Sequence, residues 1–297
     1  MTMRDDIRIS AQDEQIAAYL YRPAVTDGAV PCVVMAHGFS GTRDDALPGY
    51  AEVFRDAGFA VVVFDYRHFG ASTGTPRQLL HIGRQRQDYR TVIAWARRLE
   101  GVDADRIVAW GTSFSGGTVL AVAAEDPRLA AVIAQAPMTD ALASVLQVPP
   151  TTVPRIILAA VRDQIGAWRG RPPLTLPAVG APGTVAAMTS PDAEAGLRAV
   201  ISPESLWRNE FAARLMLTFP FNRQGRKAAR LQMPVLFCVC EHDTVTPPGP
   251  TVAAARRAPR GEIRHYPCGH FDIYHDPQAK ADQVEFLVRV TERRVRS

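Results

Sequence analysis

A serine hydroxyl attacks an acyl carbon at neutral pH only when a base removes its proton and an acid orients that base. The chain offers all three types in the order serine, aspartate, histidine: Ser113, Asp243 and His270. Ser113 stands in residues 106–118, RIVAWGTSFSGGT, where an apolar strand ends in glycine, turns, and restarts as an apolar helix over 119–124. A serine at the apex of such a turn is held in a strained backbone conformation with its hydroxyl clear of the sheet. Gly111, Ser115, Gly116 and Gly117 are small enough for strand and helix to close around it.

The usual pattern is Gly-x-Ser-x-Gly, and here Ser115 occupies the last glycine position. Ser115 as nucleophile would lack the glycine two residues before it. The apolar run 107–110 with Gly111 at its end therefore selects Ser113, and Ser115 falls in the first helical turn.

His270 lies in YPCGHFDIY (266–274), the loop between the last predicted strand and the last predicted helix, from which a base can reach the turn. His265 and His275 read as structural, one inside a strand and one on the approach to a helix. Asp243 follows the apolar run 234–240, so its carboxylate can accept the imidazole Nδ1–H and fix the tautomer. Glu241 and Asp140 are the alternatives for this acid, and Asp272 is too local to His270. The tetrahedral intermediate needs two backbone donors. These are the amide of Phe114, directly after the nucleophile, and that of Phe39 in the loop HGFSG (37–41). His37 reads as a residue that holds this loop, not as a base. Asp65 and Arg67, in DYRHFGAS (65–72), read as a turn-stabilising ion pair, and Asp88 takes the same structural reading.

The elements that must position these residues alternate. Residues 7–10 and 16–21 form a hairpin around a polar turn. Strands follow at 32–36, 60–65, 107–110 and 129–136, with helices at 50–57, 84–99 and after the turn. Short apolar strands followed by helices of 3.6 periodicity predict an α/β fold with a parallel sheet covered on both faces. The rhythm breaks after residue 140. A helix over 153–169 carries Ile157, Val161, Ile165 and Trp168 on one stripe. A Pro/Gly-rich irregular stretch covers 170–183, and shorter helices follow near 192–200 and 208–218. Alternation resumes with strand 234–240, helix 251–257, strand 262–266 and helix 278–293. The predicted organisation is a core of residues 1–140 and 231–297 with a helical cap inserted at 141–230. The cap's apolar residues, Trp168, Trp207 and Phe211 among them, are expected to cover a partly hydrophobic small-molecule substrate.

With 297 residues, 47% hydrophobic and 22% charged, the chain has an ordinary globular composition. Its formal charge of +4 is scattered with no aromatic interleaving, which argues against nucleic acid. No apolar run approaches the roughly 20 residues of a membrane span, and residues 1–10 carry no apolar signal core. The expectation is no membrane association. The four cysteines do not form a disulfide framework, and no Cys/His spacing suits zinc. A cytoplasmic location is the default, with no metal and no cofactor. A homodimer is allowed, although no segment of the sequence argues for it.

Together HGF (37–39), DYRHFG (65–70), GTSFSGG (111–117), EHD (241–243) and GH (269–270) resemble the α/β-hydrolase superfamily over nearly the whole chain. Within it the chain looks most like bacterial hydrolases related to polyketide transferases, dienelactone hydrolases and X-prolyl peptidases. The resemblance implies a mostly parallel eight-stranded sheet with antiparallel first strands, and a helical cap. It implies the triad Ser113, Asp243 and His270 with the Phe39 and Phe114 amides as oxyanion donors. The expected activity is hydrolysis of a carboxylic ester or thioester through an acyl-serine. Acyl transfer to an alcohol or amine is the alternative. Carbon–carbon or amide cleavage and a non-catalytic binding protein rank behind both.

Overall fold

The structure, a computed structural model, describes residues 4–24 and 28–292. Residues 1–3 of the amino-terminal segment and Arg293, the predicted end of the last helix, lie outside it. The chain opens with β1 (Arg4–Ala11) and β2 (Glu14–Tyr21), the predicted hairpin. Then come β3 (Val30–Ala36), α1 (Leu47–Asp56), β4 (Ala60–Phe64), α2 (Ile82–Ala96), β5 (Val102–Thr112), α3 (Phe114–Ala123) and β6 (Ala131–Gln135). Residues 141–230 carry α4 (Ala141–Val145), α5 (Val153–Trp168), β7 (Thr175–Leu176), α6 (Ala193–Val200) and β8 (Phe211–Ala212). The chain closes with β9 (Val235–Cys240), α7 (Pro248–Arg257), β10 (Gly261–Tyr266) and α8 (Pro277–Thr291).

Eight strands form one sheet in the order β1-β2-β4-β3-β5-β6-β9-β10. Only the β1–β2 and β2–β4 pairings are antiparallel, so β2 alone runs against the rest. The fold is α/β, as predicted. Its central strands read as unbroken apolar runs because both faces are buried. In β3, Cys32, Val34 and Ala36 join one core cluster while Val33 and Met35 join the other. In β4, Ala60, Val62 and Phe64 divide from Val61 and Val63 in the same way. Helix α3 is buried along its whole length, which explains why its sequence lacks a polar face.

Residues 141–230 do not build a core of their own. Phe211, Ala213 and Leu215 belong to the same buried cluster as β3 and β4. The helix expected near 208–218 is instead β8 followed by 3-10 turns at Ala213–Leu217 and Phe219–Phe221. The reason is tertiary: the Ala213 N–H donates to the Leu174 carbonyl and the Arg214 N–H to the Asp163 carboxylate, while Pro220 supplies no donor. The irregular stretch 170–183 contains β7, which pairs antiparallel with β8. Helix α4, five residues long and capped by the Asp140 side chain, is too short to show a period in sequence.

Candidate active site

Strand β5 runs through Gly111 to Thr112, and α3 begins at Phe114, so a single residue makes the turn. That residue is Ser113, with φ 55° and ψ −118°, outside the favoured regions for a residue with a side chain. Its peptide is fixed on both sides: the Ser113 N–H donates to the Gln135 carbonyl at 2.8 Å, and its carbonyl accepts from the Met138 N–H at 2.8 Å. Glycine is required close by. A Cβ at Gly111 would strike the Ser115 carbonyl, and one at Gly116 would lie 2.7 Å from Pro137 Cβ.

The predicted acid and base converge on this turn from the ends of β9 and β10. His270 Nε2 lies 3.0 Å from Ser113 Oγ, and His270 Nδ1 lies 2.7 Å from Asp243 Oδ2. An Nδ1–H donated to the carboxylate leaves Nε2 as the acceptor for the serine proton. Asp243 is itself held tightly. Its Oδ1 accepts the N–H groups of Val245 (2.8 Å) and Thr246 (2.6 Å), and the Thr246 hydroxyl lies 2.8 Å from Oδ2. Ser113, Asp243 and His270 are all buried. Thr246 was not singled out from sequence, although an aspartate followed at three residues by threonine is a recognisable side-chain turn.

The loop after β3 lies against Ser113: a Cβ on Gly38 would stand 3.0 Å from Ser113 Cβ. Phe114 is the first residue of α3, so its N–H belongs to the set that a helix leaves unpaired. His37 shapes the loop. Its Nδ1 lies 2.9 Å from the Gly38 carbonyl, and its Nε2 accepts from the Tyr66 N–H at 3.4 Å. That pattern needs a neutral ring, and burial holds the His37 pKa down to about 4. Ser115 ties the parts together. Its hydroxyl donates to the His37 carbonyl and accepts from the Tyr66 hydroxyl at 2.6 Å. The departure from the usual glycine thus links the helix after Ser113 to the loop that carries Phe39.

Two cavities meet at Ser113. The larger, about 350 Å³, is lined by apolar side chains including Phe39, Met138, Val145, Ile156, Met216 and Phe219. The smaller, about 40 Å³, lies beside His37, His270 and Tyr274. The residues expected to line the substrate pocket are elsewhere. Trp168 is 78% exposed on the outside of α5. Trp207 packs against the opposite core cluster, which includes Leu197 and Ile273. Phe211 is fully buried behind Phe39, with ring centroids 4.9 Å apart. Of the apolar stripe expected on α5, Ile157 does line the larger cavity. The helix buries Ala160 and Asp163, brings Ile156 and Ile157 to the cavity wall, and exposes Leu158, Val161, Ile165 and Trp168.

The predicted Asp65–Arg67 pair is also absent. Asp65 accepts from the Arg43 N–H (2.7 Å) and the Ala71 N–H (2.9 Å), and burial pushes its pKa up to about 7. Arg67 pairs with Asp88 at 2.6 Å and with Glu14 at 3.2 Å. Asp140 caps α4 and pairs with Arg223 at 2.6 Å, Glu241 lies 3.4 Å from His265, and Asp272 accepts the Gly269 N–H. Each rival carboxylate is therefore held by a group other than His270. Among the described residues, no cluster of histidine, cysteine or carboxylate side chains is arranged to hold a metal ion. No helix there is long and apolar enough to cross a membrane.

The family model for X-Pro dipeptidyl-peptidases of the S15 family matches residues 13–151. The quorum-quenching protein AidA of Acinetobacter baumannii is 45% identical over 288 residues, 96% of this chain and 94% of that protein. The polyketide transferase grgF of a Penicillium species is 30% identical over 182 residues, 61% of this chain and 60% of its own length. Among solved structures, the complex of DcsB with its substrate analogue superposes with a TM-score of 0.82 at 24% identity, covering 97% of each chain. Sheet order, a serine on the turn after β5 and a near full-length relative agree: the chain belongs to the α/β-hydrolase superfamily.

Proposed function

We propose that the protein is a serine hydrolase that cleaves a carboxylic ester or thioester of a partly hydrophobic small molecule through an acyl-Ser113 intermediate. The observation that carries this reading is the unbroken relay from Asp243 Oδ2 through His270 to Ser113 Oγ, at 2.7 and 3.0 Å. His270 takes the serine proton as Oγ attacks the carbonyl carbon, and the imidazolium is stabilised by Asp243. The Phe39 and Phe114 amides receive the oxyanion. His270 then protonates the leaving alcohol or thiol, and later deprotonates the water that releases the acid. Residues 141–230 act as a cap between the two parts of the core, at 1–140 and 231–297. Met216 and Phe219 put this segment into the wall of the larger cavity. The four free thiols suit the reducing cytoplasm.

Ser113→Ala is expected to lower turnover of p-nitrophenyl esters by roughly four to six orders of magnitude, as removal of a triad nucleophile does. A fluorophosphonate should add to the wild type and not to this variant by intact mass. Undiminished hydrolysis by Ser113→Ala would refute the assignment.

A second reading is transfer of the acyl group to an alcohol or amine. The mostly apolar lining of the cavity at Ser113 supports it, because an apolar wall disfavours the competing water. The 30% identity to a protein named as a polyketide transferase points the same way. Partition of the acyl-enzyme between water and added alcohol separates the two. Ester product that grows while acid product falls favours transfer.

A further inference from the structure

Helix α5 turns its apolar side to the outside. Ile157, Leu158, Val161, Ile165 and Trp168 are exposed, Leu158 by 59% and Trp168 by 78%. Their spacing places them on one stripe opposite the buried Ala160 and Asp163. Arg155, Arg162 and Arg169 recur every seven residues and run along one border of the stripe, with Arg171 just beyond the helix. All four arginines are exposed, and among the described residues none is paired with a carboxylate. From residue 141 to 190 the only acid is Asp163, which is buried beneath the helix and already neutralised by Arg214 at 2.7 Å. The outward surface of α5 is therefore apolar and purely cationic.

The same surface borders the substrate cavity. Val153, Ile156 and Ile157 line the larger cavity, and Ile157 is at once part of its wall and half exposed. Val145 also lines the cavity, and its neighbour Leu146 is 77% exposed. Phe221, which follows the lining residues Phe219 and Pro220, is 81% exposed. Apolar groups thus continue from the cavity, over its rim, and along α5.

We infer that this face docks α5 on an anionic lipid bilayer, with the stripe in the headgroup–acyl boundary and the arginines on lipid phosphates, so that the cavity opens towards the lipid. The composition is that of a helix lying in an interface, with an apolar face, a cationic border and a tryptophan at one end. This is surface association and needs no membrane-spanning helix. A second copy of the chain is a poorer occupant. A two-fold interface built on this stripe would bring the arginine lines of both copies together with no exposed acid on the helix to offset them.

The test is flotation of the protein with vesicles of equal parts phosphatidylglycerol and phosphatidylcholine, at low salt. The wild type should float with these and not with phosphatidylcholine alone. Salt at 0.5 M should release it, since screening weakens the arginine contacts. The triple variant Arg155→Gln, Arg162→Gln, Arg169→Gln should bind at least ~tenfold more weakly, and so should Leu158→Asp. Turnover of a short soluble ester, unchanged in both, reports that they fold. Failure of the wild type to float with anionic vesicles overturns the inference, as does flotation insensitive to salt and to the arginine variant. A wild-type dimer by light scattering that Leu158→Asp disperses overturns it too, by assigning the face to a second copy.

Discussion

The two sides of Ser113 are built differently. On the sheet side, polar groups are closely partnered: Asp243 by two backbone amides and the Thr246 hydroxyl, His37 by Gly38 and Tyr66, and Ser115 by His37 and Tyr66. On the side formed by 141–230, the surface facing the serine is largely apolar, and its fixed points are few. Asp163 anchors α5 to Arg214 and to the Leu174 amide, and Asp140 ties α4 to Arg223. Directional bonds place atoms to within tenths of an ångström, whereas apolar contacts fill volume and adapt to shape. The difference teaches that the proposed chemistry is set by the first side and the choice of substrate by the second.

Asp243→Asn tests the directional side hardest. It is expected to lower kcat by about 10⁴ with the fold intact, because the amide favours the wrong imidazole tautomer. A loss of less than tenfold would mean that another carboxylate takes over, and Glu241 would be the one to replace next. On the apolar side the largest expected effect is on stability. Asp163→Ala would leave Arg214 unpaired in a mostly buried site and should cost about 3–5 kcal/mol by chemical denaturation. An accompanying loss of ester selectivity larger than the loss of kcat would sharpen the division between the two sides.

His37 supplies a test through pH. Its folded pKa, about 4, lies below the ordinary histidine value of 6.5, so the unfolded chain binds the extra proton first as pH falls. The stability that depends on neutral His37 is therefore complete above pH 6.5 and is lost progressively towards pH 4. Relative to His37→Gln, the wild type should lose about 2 kcal/mol between pH 7 and pH 5. Asp65 and Asp88, with pKa values raised by burial to about 7 and about 6, act oppositely in this range. They are present in both proteins, so the difference between the two isolates His37. A flat difference would place a water or an altered loop at His37. The smallest expected effect is that of Ser115→Ala, about 1–2 kcal/mol of stability for leaving the His37 carbonyl and Tyr66 hydroxyl unpaired. If the bond positions the loop bearing Phe39, kcat should fall with KM unchanged, and Ser115→Thr should restore part of it.

The positions that the structure brings together at Ser113 were legible because each sits where a strand ends. Local pattern identifies strand ends well: apolar runs at 107–110 and 234–240 stop at small or polar residues, and Ser113 and Asp243 follow within a few positions. His270 follows strand β10 by the same rule, and the expected donors Phe39 and Phe114 lie just beyond β3 and β5. The Ser115 contact was not legible, because its partner is 78 residues away and only packing brings the two together, whereas Thr246 sits in a local turn with Asp243 three residues before it. The Asp65–Arg67 expectation failed for a related reason. Asp65 and Arg67, two residues apart, each found partners elsewhere, the Arg43 N–H and the Asp88 carboxylate.

By itself the sequence determined the alternation of strands and helices, the turn that carries Ser113, and the order of Ser113, Asp243 and His270 along the chain. Those follow from periodicity and backbone sterics, which act within a few residues. The direction in which α5 faces was decided only in the tertiary structure, since its period is equally regular whichever side is buried. Asp163 decides it: a carboxylate beneath the helix, satisfied by Arg214 from 51 residues away, turns Leu158 and Trp168 outward. The same holds for β7 and β8, two residues each, which exist only because they meet.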